Sequence, residues 1–199
     1  MRVKIFVSGI VQGVGFRPFI YRITSKNGLV GYVRNRGDAV VEILVQGKKV
    51  NIKTFLENLK SQKPPLAQIY NIITENKIEK NDLNEFKIIK SSGETKHMGS
   101  VIPPDVSICD ECLRELRNPE NRRFNYFFIT CTNCGPRYTI INKLPYDRSN
   151  TTMKEFKMCN DCTNEFKDPG NRRFHAQTVV CPKCGPKVFL VSKKGAVIE

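Results

Sequence analysis

Acidic residues are scarce in this chain. Among 199 residues, 19 Asp and Glu stand against 33 Lys and Arg, a formal net charge of +14. Such an imbalance suits an anionic partner (nucleic acid, a membrane surface, a phosphorylated small molecule), or simply a basic, well-solvated surface. Long apolar runs are missing too. No stretch of 18 apolar residues occurs, which excludes a bilayer-spanning helix. The first residues, Met1-Arg-Val-Lys-Ile-Phe-Val7, lack the apolar region and small-residue cleavage site of a secretory signal, and alternate like a strand. The expected compartment is the cytosol. Gly (13) and Pro (11) are too few, and apolar residues at 40% too many, for wholesale disorder or a collagen-like repeat.

Cysteine is absent from residues 1–91. All eight cysteines fall between 109 and 184, in four Cys-x-x-Cys pairs with none left over. In a cytosolic chain, paired thiols read as metal ligands rather than disulfides. The expected organisation is a first domain at 1–91, a linker at 92–104 and a cysteine domain at 105–190. The linker region is small and polar and ends in Pro103-Pro104. The first segment holds 16 basic and 7 acidic residues, the remainder 17 and 12. The basic excess is therefore spread over both, which counts against a DNA-binding finger.

Periodicity gives the elements of the first domain. Arg2–Val7 alternates and reads as a strand. Phe16, Phe19, Ile20 and Ile23 recur at helical spacing within Phe16–Lys26, with Pro18 tolerated in the first turn. Leu29–Arg34 and Ala39–Gln46 read as strands joined by a turn at Asn35-Arg-Gly-Asp38. Val50–Leu59 reads as a helix with Val50, Phe55, Leu56 and Leu59 on one side, and Gln68–Thr74 and Phe86–Ile89 as two further strands. The order β-α-β-β-α-β, plus a last strand, is that of a ferredoxin-like α/β sandwich, an α+β fold.

Between the first strand and first helix lies Val7-Ser-Gly-Ile-Val-Gln-Gly-Val-Gly-Phe-Arg17. Glycines let successive backbone N–H groups converge, and a helix N-terminus adds unpaired N–H donors and partial positive charge. Gln12, Gly13, Val14, Gly15 and Phe16 are thus a candidate cradle for a phosphate-sized anion, to which Arg17 adds a planar, always-charged fork. A tight turn with no ligand is the other reading of these glycines.

The motif Gly-x-Val-Gln-Gly-Val-Gly-Phe-Arg resembles the signature of the acylphosphatases, and the resemblance covers residues 1–91. It implies a ferredoxin-like fold, metal-free cleavage of an acyl–phosphate bond, and two functional side chains: the arginine closing the loop, Arg17, and an asparagine ending the next strand, Asn35. The chemistry suits them. An acyl phosphate has a good leaving group, so the enzyme must mainly hold phosphate charge and place a water. Asn35 offers both an acceptor and donors with which to place it. Taken alone, Asn35 would read as a turn residue and Arg17 as a solvated helix residue. No Ser-His-Asp set, acid pair or phosphate-loop lysine is visible in this segment.

The cysteine domain is a duplication. Residues 109–136 and 159–186 are identical at 12 of 28 positions, including Asn-Arg-Arg-Phe at 121–124 and 171–174. Cys109, Cys112, Cys131 and Cys134 correspond to Cys159, Cys162, Cys181 and Cys184. Two Cys-x-x-Cys turns 18 residues apart suit a tetrahedral four-thiolate zinc site. One structural Zn²⁺ per repeat is expected; interleaved pairing across the repeats is the alternative. Two such sites would lower the effective net charge to about +10. Four sulfurs close the coordination sphere, so catalysis at zinc is not expected. His97 and His175 are read as non-ligands. The Asn-Arg-Arg-Phe stretches are read as solvated loops supporting the knuckles, and Phe124, Tyr126, Phe127 and Phe128 as the core between two metal sites.

Together the two halves resemble the N-terminal part of the hydrogenase-maturation carbamoyltransferases, the HypF family, with Cys-Thr-Asn-Cys-Gly-Pro-Arg-Tyr-Thr-Ile140 and Arg-Arg-Phe-His-Ala-Gln177 especially characteristic. The resemblance implies hydrolysis of carbamoyl phosphate as the first step of carbamoylating a HypE-like acceptor protein in [NiFe] hydrogenase maturation. The family continues with an adenylate-forming and a transferase domain, which 199 residues do not accommodate. Residues 191–199 are accordingly expected to begin a truncated following domain, and ATP is assigned only to the missing ones. A basic zinc-ribbon nucleic-acid-binding protein, and a structural module with an inert phosphatase site, are the rival readings. No membrane partner is expected.

Overall fold

Alternation at the N-terminus produces a strand, β1 (Arg2–Ile10), whose Val3, Ile5 and Val7 point into the core. The structure is a computed structural model that describes residues 1–77, 83–94, 101–103 and 105–198; His97 and part of the expected linker lie outside them. Helix α1 (Phe16–Lys26) buries Phe16, Phe19, Ile20 and Ile23, the stripe its spacing predicts. Strand β2 (Val30–Asn35) runs one residue past its expected end, so Asn35 is a strand residue paired with Val41. Strand β3 (Val41–Gln46) begins two residues late because Ala39 takes a left-handed φ of 60°. The Asp38 carboxylate accepts from the Val40 N–H and ties that turn.

Helix α2 (Lys49–Ser61) buries Ile52, Phe55 and Leu59, while Val50 is 65% exposed. Phe55 and Leu59 keep their expected places, Leu56 packs partly buried against the core, and Ile52 takes the place of Val50. Strand β4 (Gln68–Asn76) lies at a sheet edge and is largely exposed, and β5 (Phe86–Ile88) forms the opposite edge. The sheet order is β4-β1-β3-β2-β5, antiparallel except for β2 and β5. Registers such as Ile5 against Ile43 and Val7 against Val41 set matching apolar residues under the two helices. Burying each larger side chain contributes about 1.5–3 kcal/mol.

The other sheet face is closed by charge. Glu42 is fully buried and accepts from Tyr32 Oη (2.7 Å) and Arg34, with Lys4 Nζ at 3.2 Å. Burial alone would raise the Glu42 pKa; the hydrogen bonds from Arg34, Tyr32 and Lys4 win and hold it below its ordinary value.

Beyond the sandwich, helices α3 (Asp110–Arg117) and α4 (Asn160–Lys167) each begin one residue after the first cysteine of a pair and carry the second, Cys112 or Cys162, fully buried in their first turn. Three small clusters replace a single core here. Two are centred on cysteines with Ile129 or Val179; the third joins Tyr126, Met153 and Val180. Only Tyr126 and Phe128 of the aromatic run reach it, since Phe124 and Phe127 are 40% and 53% exposed. The run lies in consecutive turns, so its rings do not share one direction. No helix among the described residues is long and apolar enough to cross a membrane.

Candidate functional site

The glycine-rich loop leaves β1 and enters α1 through Gly13 and Gly15, at φ 75° and 74°, where side-chain-bearing residues are strained. Space demands glycine there as well. A Cβ on Gly13 would lie 2.7 Å from Cβ of Pro136, and one on Gly15 would lie 3.0 Å from Cβ of Thr132. The loop is therefore packed directly onto the Cys131–Cys134 turn of the first repeat. No side chain caps α1, and in its first turn the N–H groups of Phe16 and Arg17 have no intrahelical acceptor, while Pro18 has no N–H. The side chains of Val14 and Phe16 are buried in the apolar core, leaving only their backbone for an anion.

Gln12, Arg17 and Asn35 converge on this loop, all at most 8% exposed. A small cavity of about 30 Å³ lies among them, bounded on its far side by Tyr146, His175 and Gln177 of the cysteine domain. These last residues escaped the sequence reading. Gln12 Nε2 donates to the carbonyls of Arg36 and Val40 (3.2 Å each), and its Oε1 accepts from the Tyr146 N–H at 3.0 Å. The Tyr146 carbonyl accepts from both Arg17 Nη2 (3.2 Å) and Asn35 Nδ2 (3.3 Å). Arg17 Nη1 donates to Asp147 Oδ1 at 2.8 Å. Asn35 Oδ1 is buried and has no hydrogen-bond partner among the described residues. His175 sits beside Arg17, and burial together with that positive charge pushes it down to about 4, so it is neutral near pH 7.

Arg148 fixes the segment carrying Tyr146 and Asp147. Its guanidinium donates to the carbonyls of Gln177 (2.9 Å), Val179 (3.1 Å) and Phe156 (2.6 Å), and its N–H to Gln177 Oε1. The Tyr21 and Phe174 rings meet edge-on at 5.3 Å and add an apolar contact between α1 and the second repeat.

The eight cysteines form two clusters, each within one repeat: Cys109, Cys112, Cys131 and Cys134, and Cys159, Cys162, Cys181 and Cys184. Interleaved pairing is not adopted. Within each cluster the four sulfurs lie within 4.8 Å of one another, and neighbouring sulfurs are 3.5–3.8 Å apart. A disulfide needs about 2.05 Å. A tetrahedron of thiolates about 2.3 Å from zinc has edges of about 3.8 Å, so the donor set fits such an ion. Backbone N–H groups of Cys109 and Asn133 point at Cys134 and Cys131 sulfurs. These are two structural metal sites, and His175 belongs to neither.

The Asn-Arg-Arg-Phe stretches are not simply solvated loops: Arg122 and Phe124 stay exposed, but the second arginine of each turns inward. Arg123 and Arg173 are 1% and 3% exposed. Arg122 and Arg123 of the first repeat reach Cys162 Sγ (3.4 and 3.5 Å) and Glu165 of the second; Arg172 and Arg173 reach Cys112 Sγ (3.1 Å from Arg172) and Glu115 of the first. Arg123 Nε donates to the Val180 carbonyl and Arg173 Nε to that of Thr130, the corresponding position. Each repeat thereby places positive charge on the thiolates of the other.

Residues 3–88 match the acylphosphatase family, and residues 108–141 and 158–191 match the HypF finger. The probable carbamoyltransferase HypF of Methanocaldococcus jannaschii is 53% identical over 150 residues, 75% of this chain and 20% of that protein. A crystal structure of full-length HypF in a phosphate- and nucleotide-bound form superimposes with a TM-score of 0.88 at 43% identity, over 96% of this chain and 25% of that one. An acylphosphatase from Oceanobacillus iheyensis is 34% identical over 86 residues, 43% of this chain and 94% of that protein. The chain spans about a fifth of the length of the HypF relatives it matches. It therefore belongs to the acylphosphatase family through its first domain and, with the paired HypF fingers that follow, has the make-up of the N-terminal fifth of the HypF carbamoyltransferases.

Proposed function

We propose that the first domain hydrolyses carbamoyl phosphate to carbamate and phosphate, as the opening step of protein carbamoylation. The observation that carries this reading is the convergence of the Gln12–Arg17 loop, the Arg17 guanidinium and the Asn35 amide on one buried cavity. Loop N–H groups and Arg17 hold the phosphoryl oxygens. Asn35 holds a water in line with phosphorus. As its oxygen bonds to phosphorus, the bond from phosphorus to the carbamoyl oxygen breaks. The carbamate leaves with the electron pair, and both protons of the water stay on the phosphate. Little acid assistance is needed for so good a leaving group, in keeping with a neutral His175. Preorganised charge is the main contribution of the site.

The cysteine clusters hold two structural zinc ions, which shape the module without touching the reacting atoms. A HypE-like acceptor and ATP belong to parts of the relatives beyond this region, and a cytoplasmic setting keeps the thiols reduced. Six of the arginines are engaged within the molecule and are not free for a polyanion: Arg17, Arg36, Arg122, Arg123, Arg172 and Arg173 all sit in ion pairs. That weighs against a nucleic-acid-binding role. The deciding experiment is phosphate release from carbamoyl phosphate by the metal-loaded chain, with Arg17→Ala as control. Turnover lowered roughly 10²–10³-fold by Arg17→Ala supports the reading; no turnover in the parent chain refutes it.

A further inference from the structure

We infer that the Tyr146–Asp147 turn of the finger module is a working part of the acylphosphatase site: it positions Arg17 and Asn35 for the reaction. The inference rests on the hydrolytic reading above and extends it to a segment outside the acylphosphatase domain.

Three hydrogen bonds make the case. The Tyr146 carbonyl accepts from Asn35 Nδ2. A carbonyl can only accept, so this contact fixes which way the Asn35 amide is turned. The nitrogen faces the finger module and Oδ1 is left buried without a hydrogen-bond partner among the described residues. That acceptor is what a nucleophilic water needs, because accepting one of its protons in a hydrogen bond aims the water's lone pair at phosphorus. The same carbonyl takes Arg17 Nη2, and the Asp147 carboxylate takes Nη1. Both terminal nitrogens of the fork are thereby held, and the guanidinium plane is set before any anion arrives. Reactant misplacement of about 1 Å costs on the order of 10²-fold in rate, so holding these two side chains matters for catalysis.

The turn is itself held firmly. Gln12 Oε1, inside the cradle loop, accepts from the Tyr146 N–H, and Arg148 pins the next residue to Gln177 and Val179. Gln12 thus joins the cradle to the finger module. The O. iheyensis acylphosphatase, matched by the first domain over 94% of its length, leaves almost no chain for such a turn. In the present chain two polypeptide segments more than 100 residues apart complete one site.

Asp147 is the position to test, as a positioning residue. In the metal-loaded full chain, Asp147→Ala should lower kcat for carbamoyl phosphate about 10- to 100-fold, with KM changed less than about threefold. Asp147→Asn, which keeps an oxygen for Arg17 Nη1, should recover most of that loss. A merely structural role would not show this split and rescue. Unchanged kcat in Asp147→Ala overturns the inference. So does a faster enzyme with tighter inorganic phosphate binding, which would make Asp147 a competitor for Arg17. A second measurement needs neither turnover nor a variant. In the parent chain the Arg17 Nη protons should give separate, slowly averaging signals in ¹⁵N-resolved NMR, because both nitrogens are held. Freely rotating Arg17 overturns the inference whatever the hydrolysis assay gives. Held Arg17 with no hydrolysis leaves the positioning intact and removes the catalytic reading.

Discussion

The two halves of the molecule solve the burial problem differently. The first packs one continuous apolar core between a five-stranded sheet and two helices. The second has three clusters of three or four buried residues each, and five of the eight around the metal sites are cysteines. A core that small supplies too little hydrophobic free energy to order some 80 residues. Metal and buried ion pairs must make up the difference. The comparison teaches that the two halves are ordered by different means, yet they meet at one point, where Tyr146 and Asp147 of the second take the Arg17 guanidinium of the first.

Removing metal should separate the halves most sharply. Structural zinc contributes about 10–16 kcal/mol in finger peptides, so a strong chelator should unfold the finger module and leave the sandwich standing. Hydrogen exchange should rise to unprotected rates across 109–186 while β1 and β3 stay protected; equal loss in both would show that the halves fold as one. Elemental analysis should give two zinc ions per chain. The next loss of stability belongs to the arginine clasp. Arg123→Gln removes the donor to the buried Val180 carbonyl and one of the arginines on Glu165, Arg122 remaining, a loss of about 1–3 kcal/mol visible in thermal unfolding of the finger module, with the sandwich transition unmoved.

Within the site, Arg17→Ala should weaken phosphate binding and lower kcat/KM by roughly 10²–10³, the scale of one lost oxyanion donor. Asn35→Ala should lower kcat on a similar scale while leaving phosphate affinity nearly intact, as phosphate titration and steady-state kinetics would show. The smallest effect belongs to the sandwich alone. Glu42 has a folded pKa below its unfolded value of 4.5. Its contribution is therefore present above that value and lost as pH falls through the folded one. Acid unfolding of Glu42→Gln should show a flatter loss of stability below about pH 4.5 than the parent.

Most of the sandwich was legible because periodicity reports burial: the bounds of α1 came out as its apolar spacing predicts. Ala39 was missed because nothing in its identity announces a positive φ, which the Asp38 turn imposes. Val50 was misplaced because an apolar residue at a helix start fits either of two stripes. The four cysteines of each repeat were legible from their spacing, and Arg17 and Asn35 as candidates through the family motif, since each taken alone reads as a solvated or a turn residue. Tyr146 was not legible, because it acts through a carbonyl and an N–H that every neighbouring residue also owns. The arginine clasp did leave a trace. Glu115 and Glu165 are identical between the repeats along with the arginines, yet basic residues in a polar loop default to solvent in any reading of one segment at a time.

The reciprocity of that clasp has the form of a two-fold dimer interface written into one chain, in which residue i of one copy meets j of the other and j meets i. A lone copy of the 50-residue unit would carry an arginine pair with no carboxylate to meet and a thiolate cluster with no guanidinium beside it. Such a unit would seek a second copy of itself, as the two copies here already have, and it is the pair rather than the single finger that can be cut out, transplanted or lost whole.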